Sequence, residues 1–196
     1  EAVAVMPEGD QRTKVFKSLR AEALLANPLM NFDKLLLIRR KASNLGMPAN
    51  WCSNSSIGKT GYDNDIAVLS PVTPDGKLTT LFKPAKDEYV GEIDLHFNAD
   101  KMLFSMPSEG GKGAWQIHEI KVDPSTGLRA GGSGLRQVSP TRKDESYTNN
   151  YDACYLPDGA IMYTSTAAHV AVPCVRGSAP AAMLFRMIAD GSGIRL

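Results

Sequence analysis

The chain has 196 residues, a formal net charge of +1, 43% hydrophobic residues and 22% charged residues, which is typical of a folded globular protein. No basic block indicates a nucleic-acid partner, so we expect none. Apolar runs such as Leu35–Ile38 are far shorter than the roughly 20 residues of a membrane span, so we expect no such span.

The segment Asp10–Asn27 predicts an N-terminal helix. Val15, Leu19 and Ala23 recur at steps of one helical turn, Asp10 is suited to cap the start, and Pro28 ends the pattern. We expect this helix to pack on the outside of the main body. Residues 1–30 are therefore predicted to be a lead-in that is separate from the rest of the chain.

From residue 31 onward, short strands alternate with tight turns. Dipeptides such as Asp75-Gly76 and Asp158-Gly159 supply the positive φ angles of such turns, so their acids are structural by default. The predicted strands are Lys34–Arg40, Asp65–Leu69, Leu78–Phe82, Ile93–Phe97, Lys101–Met106, Trp115–Val122, Leu135–Val138, Tyr151–Tyr155, Ala160–Ser165, Met183–Ile188 and the segment from Ile194 onward.

An internal repeat organises these strands. The segment DLHFNADKMLFSM, which starts at Asp94, aligns with DACYLPDGAIMYTS, which starts at Asp152, so that the two aspartates correspond. One inserted glycine then brings Met102–Ser105 into line with Ile161–Thr164. Farther along, GSGLRQVSP and GSGIRL match at nearly the same spacing, which makes chance a poor explanation.

A repeated unit of four strands is the pattern of a β-propeller blade. We assign the first blade to Lys34–Arg40 with Asp65–Phe82, the second to Glu92–Val138 and the third to Asn150–Leu196. Propellers typically contain four to eight blades. The sequence therefore predicts an all-β, partial β-propeller over residues 31–196, truncated at its C-terminal end. The expected partners are the remainder of the propeller or other subunits.

Several phrases occur in order through this region: FDKLLLIRRK (Phe32–Lys41), LGMPANW (Leu45–Trp51), GYDNDIAVL (Gly61–Leu69), DLHFNADKMLFSMP (Asp94–Pro107), NYDACYLPDGAIMYTSTA (Asn150–Ala167), VPC (Val172–Cys174) and RMIADGSGIR (Arg186–Arg195). Together they resemble bacterial propeller proteins that are similar to the hydrazine synthase alpha subunit. The resemblance implies a periplasmic or secreted location and a scaffold or binding module of a larger exported protein, with any signal peptide removed or outside the chain.

The same resemblance leaves a second function open. Hydrazine synthase works at c-type haem, but this chain contains no C-x-x-C-H motif. A subunit of a c-type haem or metal-dependent oxidoreductase would therefore have its centre outside this segment. No G-x-S-x-G motif and no pair of catalytic acids stands out either.

Three side chains are candidate metal ligands. His169 and Cys174 share one loop, and Cys154 precedes it; nitrogen and sulfur ligands of this kind suit zinc. In an oxidising compartment, Cys154 and Cys174 are alternatively candidates for a disulfide. Plain burial of the thiols, with Cys52 as the third, is the remaining possibility.

The polar segment Lys41–Asn64 is a long loop of the kind that carries binding residues on a rigid scaffold. Trp51, Asn54 and Tyr62 can stack on and hydrogen-bond a small polar ligand such as a sugar, which makes a carbohydrate-active propeller (hydrolase or lyase) another possible function. His96, in an inner strand, can line the axial channel. The acids that offer oxygen ligands to calcium, or else brace turns, are Asp63, Asp65, Glu92 and Asp94.

Overall fold

The computed structural model describes residues 7, 9–49, 53–122, 134–140 and 148–196. Helix α1 is Asp10–Leu25, and 3₁₀ helices are formed by Pro28–Met30, Asn54–Ser56, Glu109–Gly111 and Pro173–Val175. The strands are β1 (Leu35–Arg40), β2 (Asn64–Ser70), β3 (Lys77–Phe82), β4 (Gly91–Leu95), β5 (Lys101–Pro107), β6 (Trp115–Lys121), β7 (Arg136–Gln137), β8 (Asn150–Tyr155), β9 (Ile161–Ser165) and β10 (Met183–Met187).

The chain forms two compact units. One contains α1 and Val68–Leu78, and the other contains Leu36–Ala67 and Thr79–Leu196. The predicted helix is confirmed, but Asp10 does not cap it: Gly9 occupies the capping position and Asp10 is the first helical residue. A carboxylate in that turn still interacts favourably with the helix dipole. No helix in the described part of the chain is long and apolar enough to cross a membrane.

The strands form three antiparallel sheets that correspond to the predicted blades. Their orders are β1-β2-β3 in blade one, β4-β5-β6-β7 in blade two and β8-β9-β10 in blade three. In blade three, Arg195 adds a bridge to Arg186 of β10, where a fourth strand would lie. The predicted all-β, partial β-propeller is therefore confirmed.

Matching β-bulges occur in the inner strands of blades two and three. In each strand, two residues lie opposite a single residue of the neighbouring strand. Glu92 begins the bulge in β4 with φ 53°, and Asp152 begins the bulge in β8 with φ 60°. Positive φ is uncommon outside glycine, so its recurrence at the same bulge position marks these two acids as structurally equivalent.

This equivalence corrects the predicted alignment of the repeat. Asp152 corresponds to Glu92 rather than to Asp94, and Asp94 corresponds to Cys154. The sequence match favoured two identical aspartates, whereas the backbone register is set by the bulge. The alignment predicted for β5 with β9 is confirmed, because the pair Tyr155–Ile161 is separated by one residue fewer along the chain than the equivalent pair Leu95–Met102.

The blades pack face to face through two hydrophobic cores, both within the second compact unit. Because side chains alternate along a strand, neighbouring residues of β5 enter different cores. The core between blades one and two contains Ile66, Phe82, Val90, Met102, Phe104 and Ile120. The core between blades two and three contains Leu103, Ile117, Val138, Ala153, Tyr155, Ile161, Tyr163, Phe185 and Met187.

A buried carboxylate also joins blades two and three. The Tyr155 hydroxyl donates to Glu119 Oε2 at 2.9 Å, and Arg136 and Lys101 pair with Glu119 at 2.8 and 3.3 Å. Burial alone would raise the pKa of Glu119, but the hydrogen bonds from Tyr155 and Arg136 and the nearby cations hold that pKa below its ordinary value. Glu119 is therefore a paired anion between the two blades.

His118 predicts a pH dependence of stability. It is 7% exposed and its ring stacks on Phe104 with centroids 5.6 Å apart. Burial lowers the pKa of His118 from 6.5 to about 4. On this histidine, the unfolded chain therefore binds a proton at higher pH than the folded protein does. The contribution of neutral His118 to the free energy of unfolding is complete above pH 6.5. It is lost as the pH falls towards 4, which lowers the free energy of unfolding by about 3 kcal/mol.

Urea unfolding of the wild type and of His118→Phe between neutral pH and pH 4 tests this expectation. The variant keeps a planar ring against Phe104 but cannot titrate, so its free energy of unfolding should fall less over this range. His169→Gln, which alters an exposed histidine, is the control and should follow the wild type. Equal pH slopes for the wild type and His118→Phe would contradict the assignment.

Candidate functional site

Several connections meet at one end of the blades, which we call the loop end. Lys59, in the segment between β1 and β2, donates from Nζ to the Gly113 carbonyl at 2.8 Å, and its own carbonyl accepts from the Tyr89 amide at 3.0 Å. The Trp115 amide donates to Asn149 Oδ1 at 3.1 Å. The connections β1–β2, β3–β4 and β5–β6 and the residue before β8 therefore lie together.

The positions of the strand ends show which strands of blade two correspond to β1, β2 and β3. Asn64, at the start of β2, accepts from the Val90 amide and donates to the Glu88 carbonyl, just before β4. At the start of β6, the Trp115 backbone amide donates to Asn149 Oδ1, just before β8. Strands β1, β2 and β3 thus correspond to the second, third and fourth strands of blade two. The described residues between β1 and β2, 41–49 and 53–63, therefore stand where blade two has the short β5–β6 turn.

Buried aromatic residues form the base of the loop end. The aromatic cluster consists of Tyr62, Tyr89, Trp115 and Tyr151, with Ile57 packed against them. Tyr89 meets Tyr62 and Trp115 edge to face, with centroid distances of 5.2 and 5.1 Å. Tyr62 is only 6% exposed, and burial raises its pKa. A ring in this position packs in the core, so Tyr62 does not present the open face on which the predicted sugar stacking depended.

Arg40, at the end of β1, is fixed in place above this cluster. Its guanidinium carbon lies 4.1 Å from the centroid of Tyr89. Nη1 donates to the Leu45 carbonyl at 2.7 Å, and Nη2 donates to the Val90 carbonyl. Nε is buried and has no hydrogen-bond partner among the described residues. The sequence pattern identified Arg40 only as a strand residue and gave no sign of this role.

Glu92 is an acid of the loop end that is half-buried as a residue but has a fully buried carboxylate oxygen. Its Oε1 accepts from Asn54 Nδ2 at 2.8 Å, whereas Oε2 is buried without a hydrogen-bond partner among the described residues. Burial raises the pKa of Glu92, and the nearby Asp152 carboxylate acts in the same direction, against Ser105 and Arg40. Asn54, predicted as a ligand-binding residue, therefore uses its amide group to hold this acid.

The loop between β1 and β2 is also anchored to blade three. The Tyr151 hydroxyl lies 2.9 Å from Ser53 Oγ and 3.2 Å from Ser55 Oγ, and Asn149 Nδ2 donates to Ser55 Oγ at 3.0 Å. The loop therefore rests on residues of the next two blades. Trp51, the third predicted ligand-binding residue of this loop, lies outside the described residues.

His96 is not part of the loop end. It follows the last residue of β4, whereas Glu92 lies near the first. Its Nδ1 is 3.1 Å from Asp100 Oδ1, and its ring meets Tyr155 edge to face at 4.8 Å. The structure thus places His96 in the β4–β5 turn, just beyond the inner strand from which it was predicted to line the axial channel.

The structure does not assemble the predicted zinc ligands or disulfide. His169 is exposed in a loop with φ 52°, Cys174 is exposed in a 3₁₀ helix, and Cys154 is half-buried in β8. Both cysteines are free thiols, so the Cys154–Cys174 disulfide is not formed. Burial raises the pKa of the Cys154 thiol. Within the described ranges, no three His, Cys, Asp or Glu side chains are grouped so that they could hold a metal ion.

The four acids that were considered as calcium ligands bind separate groups of the protein. This distribution agrees with the alternative that they brace the structure. Their partners are Lys83 for Asp63, Arg39 for Asp65, Asn54 for Glu92 and the Tyr155 amide for Asp94.

No protein-family model matches the chain, and no curated protein is similar to it. An oligogalacturonate lyase in complex with manganese matches with a TM-score of 0.50 and 14% identity, over 85% of this chain and 38% of that chain. TolB from Agrobacterium tumefaciens matches with a TM-score of 0.42 and 14% identity, over 67% of this chain and 36% of that chain. A luciferin-regenerating enzyme matches with a TM-score of 0.40 and 13% identity, over 88% and 47%. The chain thus spans less than half of each, and the first likeness supports the propeller fold alone.

The state of Glu92 can be tested by substitution with its neutral analogue. Because burial raises the pKa of Glu92, the ionised form destabilises the folded protein as the pH rises through the folded pKa. We therefore expect Glu92→Gln to increase the free energy of unfolding at pH 8, and to lose this advantage in acid, where Glu92 is itself protonated. Chemical denaturation at several pH values measures the difference.

Glu119→Gln is the matched control for this experiment. Its carboxylate is paired with Arg136 and Lys101, so the neutral variant should be less stable than the wild type at pH 8, by about 1–3 kcal/mol. If Glu92→Gln lost stability at pH 8 as well, Glu92 would be a paired carboxylate and the assignment would be wrong.

Proposed function

We propose that this chain is the scaffold and binding module of a larger propeller protein, and that a further blade covers the open face of blade three. The proposal depends on one observation. Positions that are buried in blade two by its neighbour are exposed at the equivalent places in blade three.

The face of blade two that packs against blade three is fully buried at its centre. Leu103 of β5 and Ile117 of β6 are both 0% exposed, and they share a core with Tyr163 and Phe185 of blade three. Ser105, which lies opposite Ile117, is also buried. This face of blade two is therefore closed by the blade that follows it.

The same face of blade three is open. Ile117 lies opposite Ser105, and Leu184 lies opposite Thr164, so Leu184 occupies the position of Ile117. Leu184 is 61% exposed, and Met162 beside it is only partly buried. Burying a leucine side chain fully contributes roughly 1.5–3 kcal/mol, which is the stabilisation that a covering blade would add at this position.

The identity of the larger protein is the second part of the proposal. The ordered phrases between residues 32 and 196 support an exported bacterial protein similar to the hydrazine synthase alpha subunit, in the periplasm or secreted. If the larger protein is a haem or metal oxidoreductase, this chain contributes its scaffold and the centre lies elsewhere.

Self-association of the chain tests the open face. We expect the wild type to associate and to bind a hydrophobic dye through the face around Leu184, because apolar surface is exposed there. Leu184→Arg should reduce both effects, since it places a charge at the centre of the face. Analytical ultracentrifugation and dye fluorescence measure them.

Phe97→Arg is the matched control, because Phe97 is 67% exposed in the β4–β5 turn, away from this face. It should associate like the wild type. A wild type that is monomeric and binds no dye, with Leu184→Arg unchanged, would show that the face is a finished surface and would overturn the proposal.

The native protein tests the identity. Its intact mass should exceed the 21.2 kDa of this chain, and a haem absorption band would assign it to the oxidoreductases. A native protein of 21.2 kDa without a cofactor would contradict the larger protein.

A further inference from the structure

A charged cleft lies where β1 and β3 end and β2 begins. Its volume is about 490 Å³, and all the side chains that line it belong to the second compact unit. Small-molecule sites in proteins commonly span about 300–1,000 Å³, so the cleft has room for a small ligand. Four of its lining side chains are cations and two are carboxylates: Arg39, Arg40, Lys41 and Lys83 with Asp63 and Asp65.

Both carboxylates are paired with cations of the cleft. Arg39 binds Asp65 in a bidentate pair, with Nε–Oδ1 and Nη2–Oδ2 distances of 2.8 and 2.6 Å. Burial alone would raise the pKa of Asp65, but the hydrogen bonds from Arg39 and Thr80 keep that pKa below its ordinary value, so Asp65 is ionised. Asp63 pairs with Lys83 at 3.3 Å.

Two cations of the cleft, Arg40 and Lys41, have no carboxylate within ion-pair distance among the described residues, although the charge of Arg40 acts to lower the pKa of Glu92. Neither forms an ion pair with any acid in the described part of the chain. Arg40 is held by two backbone carbonyls and by the Tyr89 ring, and its buried Nε–H has no partner there. The backbone amide of Lys41 is tied to the Asp63 carbonyl at 3.1 Å, so both cations start from fixed backbone positions.

We propose that this cleft binds the anionic oxygens of a small ligand, a carboxylate or a phosphate, through Lys41 and the charge of Arg40. Oxyanions satisfy such a site because lysine and arginine donate charge-assisted hydrogen bonds to them. The Arg40 guanidinium is already held by its protein contacts, so it loses little conformational entropy when the ligand arrives. The proposal does not depend on the open face of blade three, which involves other residues.

Titration calorimetry of the full chain with inorganic phosphate and, separately, with citrate tests the proposal. We expect saturable binding of at least one anion that weakens as sodium chloride is added, because exposed charge pairs are screened by salt. Binding of phosphate alone, of citrate alone or of both would identify which group the site accepts, and each of these results supports the proposal.

Variants locate the binding. Lys41→Gln should raise the dissociation constant about tenfold or more, which corresponds to the loss of one charge-assisted hydrogen bond. Asp63→Asn, which removes a negative charge from the cleft, should strengthen binding. Lys121→Gln is the matched control, because it removes the same charge from an exposed lysine outside the cleft and should bind like the wild type.

Amide chemical shifts of the wild type provide a measurement that does not depend on any variant. The anion should perturb residues 39–41 and 63–65 first. Absence of binding by both anions, equal weakening in Lys41→Gln and Lys121→Gln, or shifts confined to other residues would each overturn the proposal.

Discussion

Face-to-face packing of consecutive blades is the constraint on which the rest of this structure depends. Alternation along β5 sends Met102 and Phe104 into the core with blade one, and Leu103 and Ser105 towards blade three. A single blade therefore has two faces to bury and cannot bury either by itself. The loops at the loop end hold positions relative to one another because the blades beneath them are stacked in this way.

Two acids of blade two, the buried Glu119 and the half-buried Glu92, receive very different numbers of stabilising partners. Glu119 receives a hydroxyl and two cations, and its pKa is lowered despite burial. Glu92 receives one amide from Asn54, and its pKa is raised. A buried anion with full pairing holds two blades together, whereas one with an unsatisfied oxygen stores an unfavourable interaction. Glu92 is thus the group at the loop end whose state depends most on its surroundings.

The sequence predicted the strands and blades well, but it did not reveal which side chains contact one another at the loop end, for physical reasons. Strand alternation and Asp-Gly turns are local signals, so the blades were predicted correctly. The bulge that aligns Glu92 with Asp152 is a backbone feature that requires no identical residues at the two positions. The sequence alignment therefore paired Asp152 with Asp94, two residues away from its structural equivalent. Burial of Tyr62 and the fixed position of Arg40 result from contacts between segments far apart in sequence. Local sequence patterns cannot predict such contacts.

The two open surfaces of the described structure require different occupants. Leu184 exposes apolar area that water does not stabilise, so an apolar blade face is the natural cover for it. The cleft beside Arg40 and Lys41 carries charge without a carboxylate partner, and burying such cations beneath another blade would cost several kcal/mol unless an anion came with it. One surface thus suits assembly into a larger ring, and the other suits a small anion that remains in contact with water.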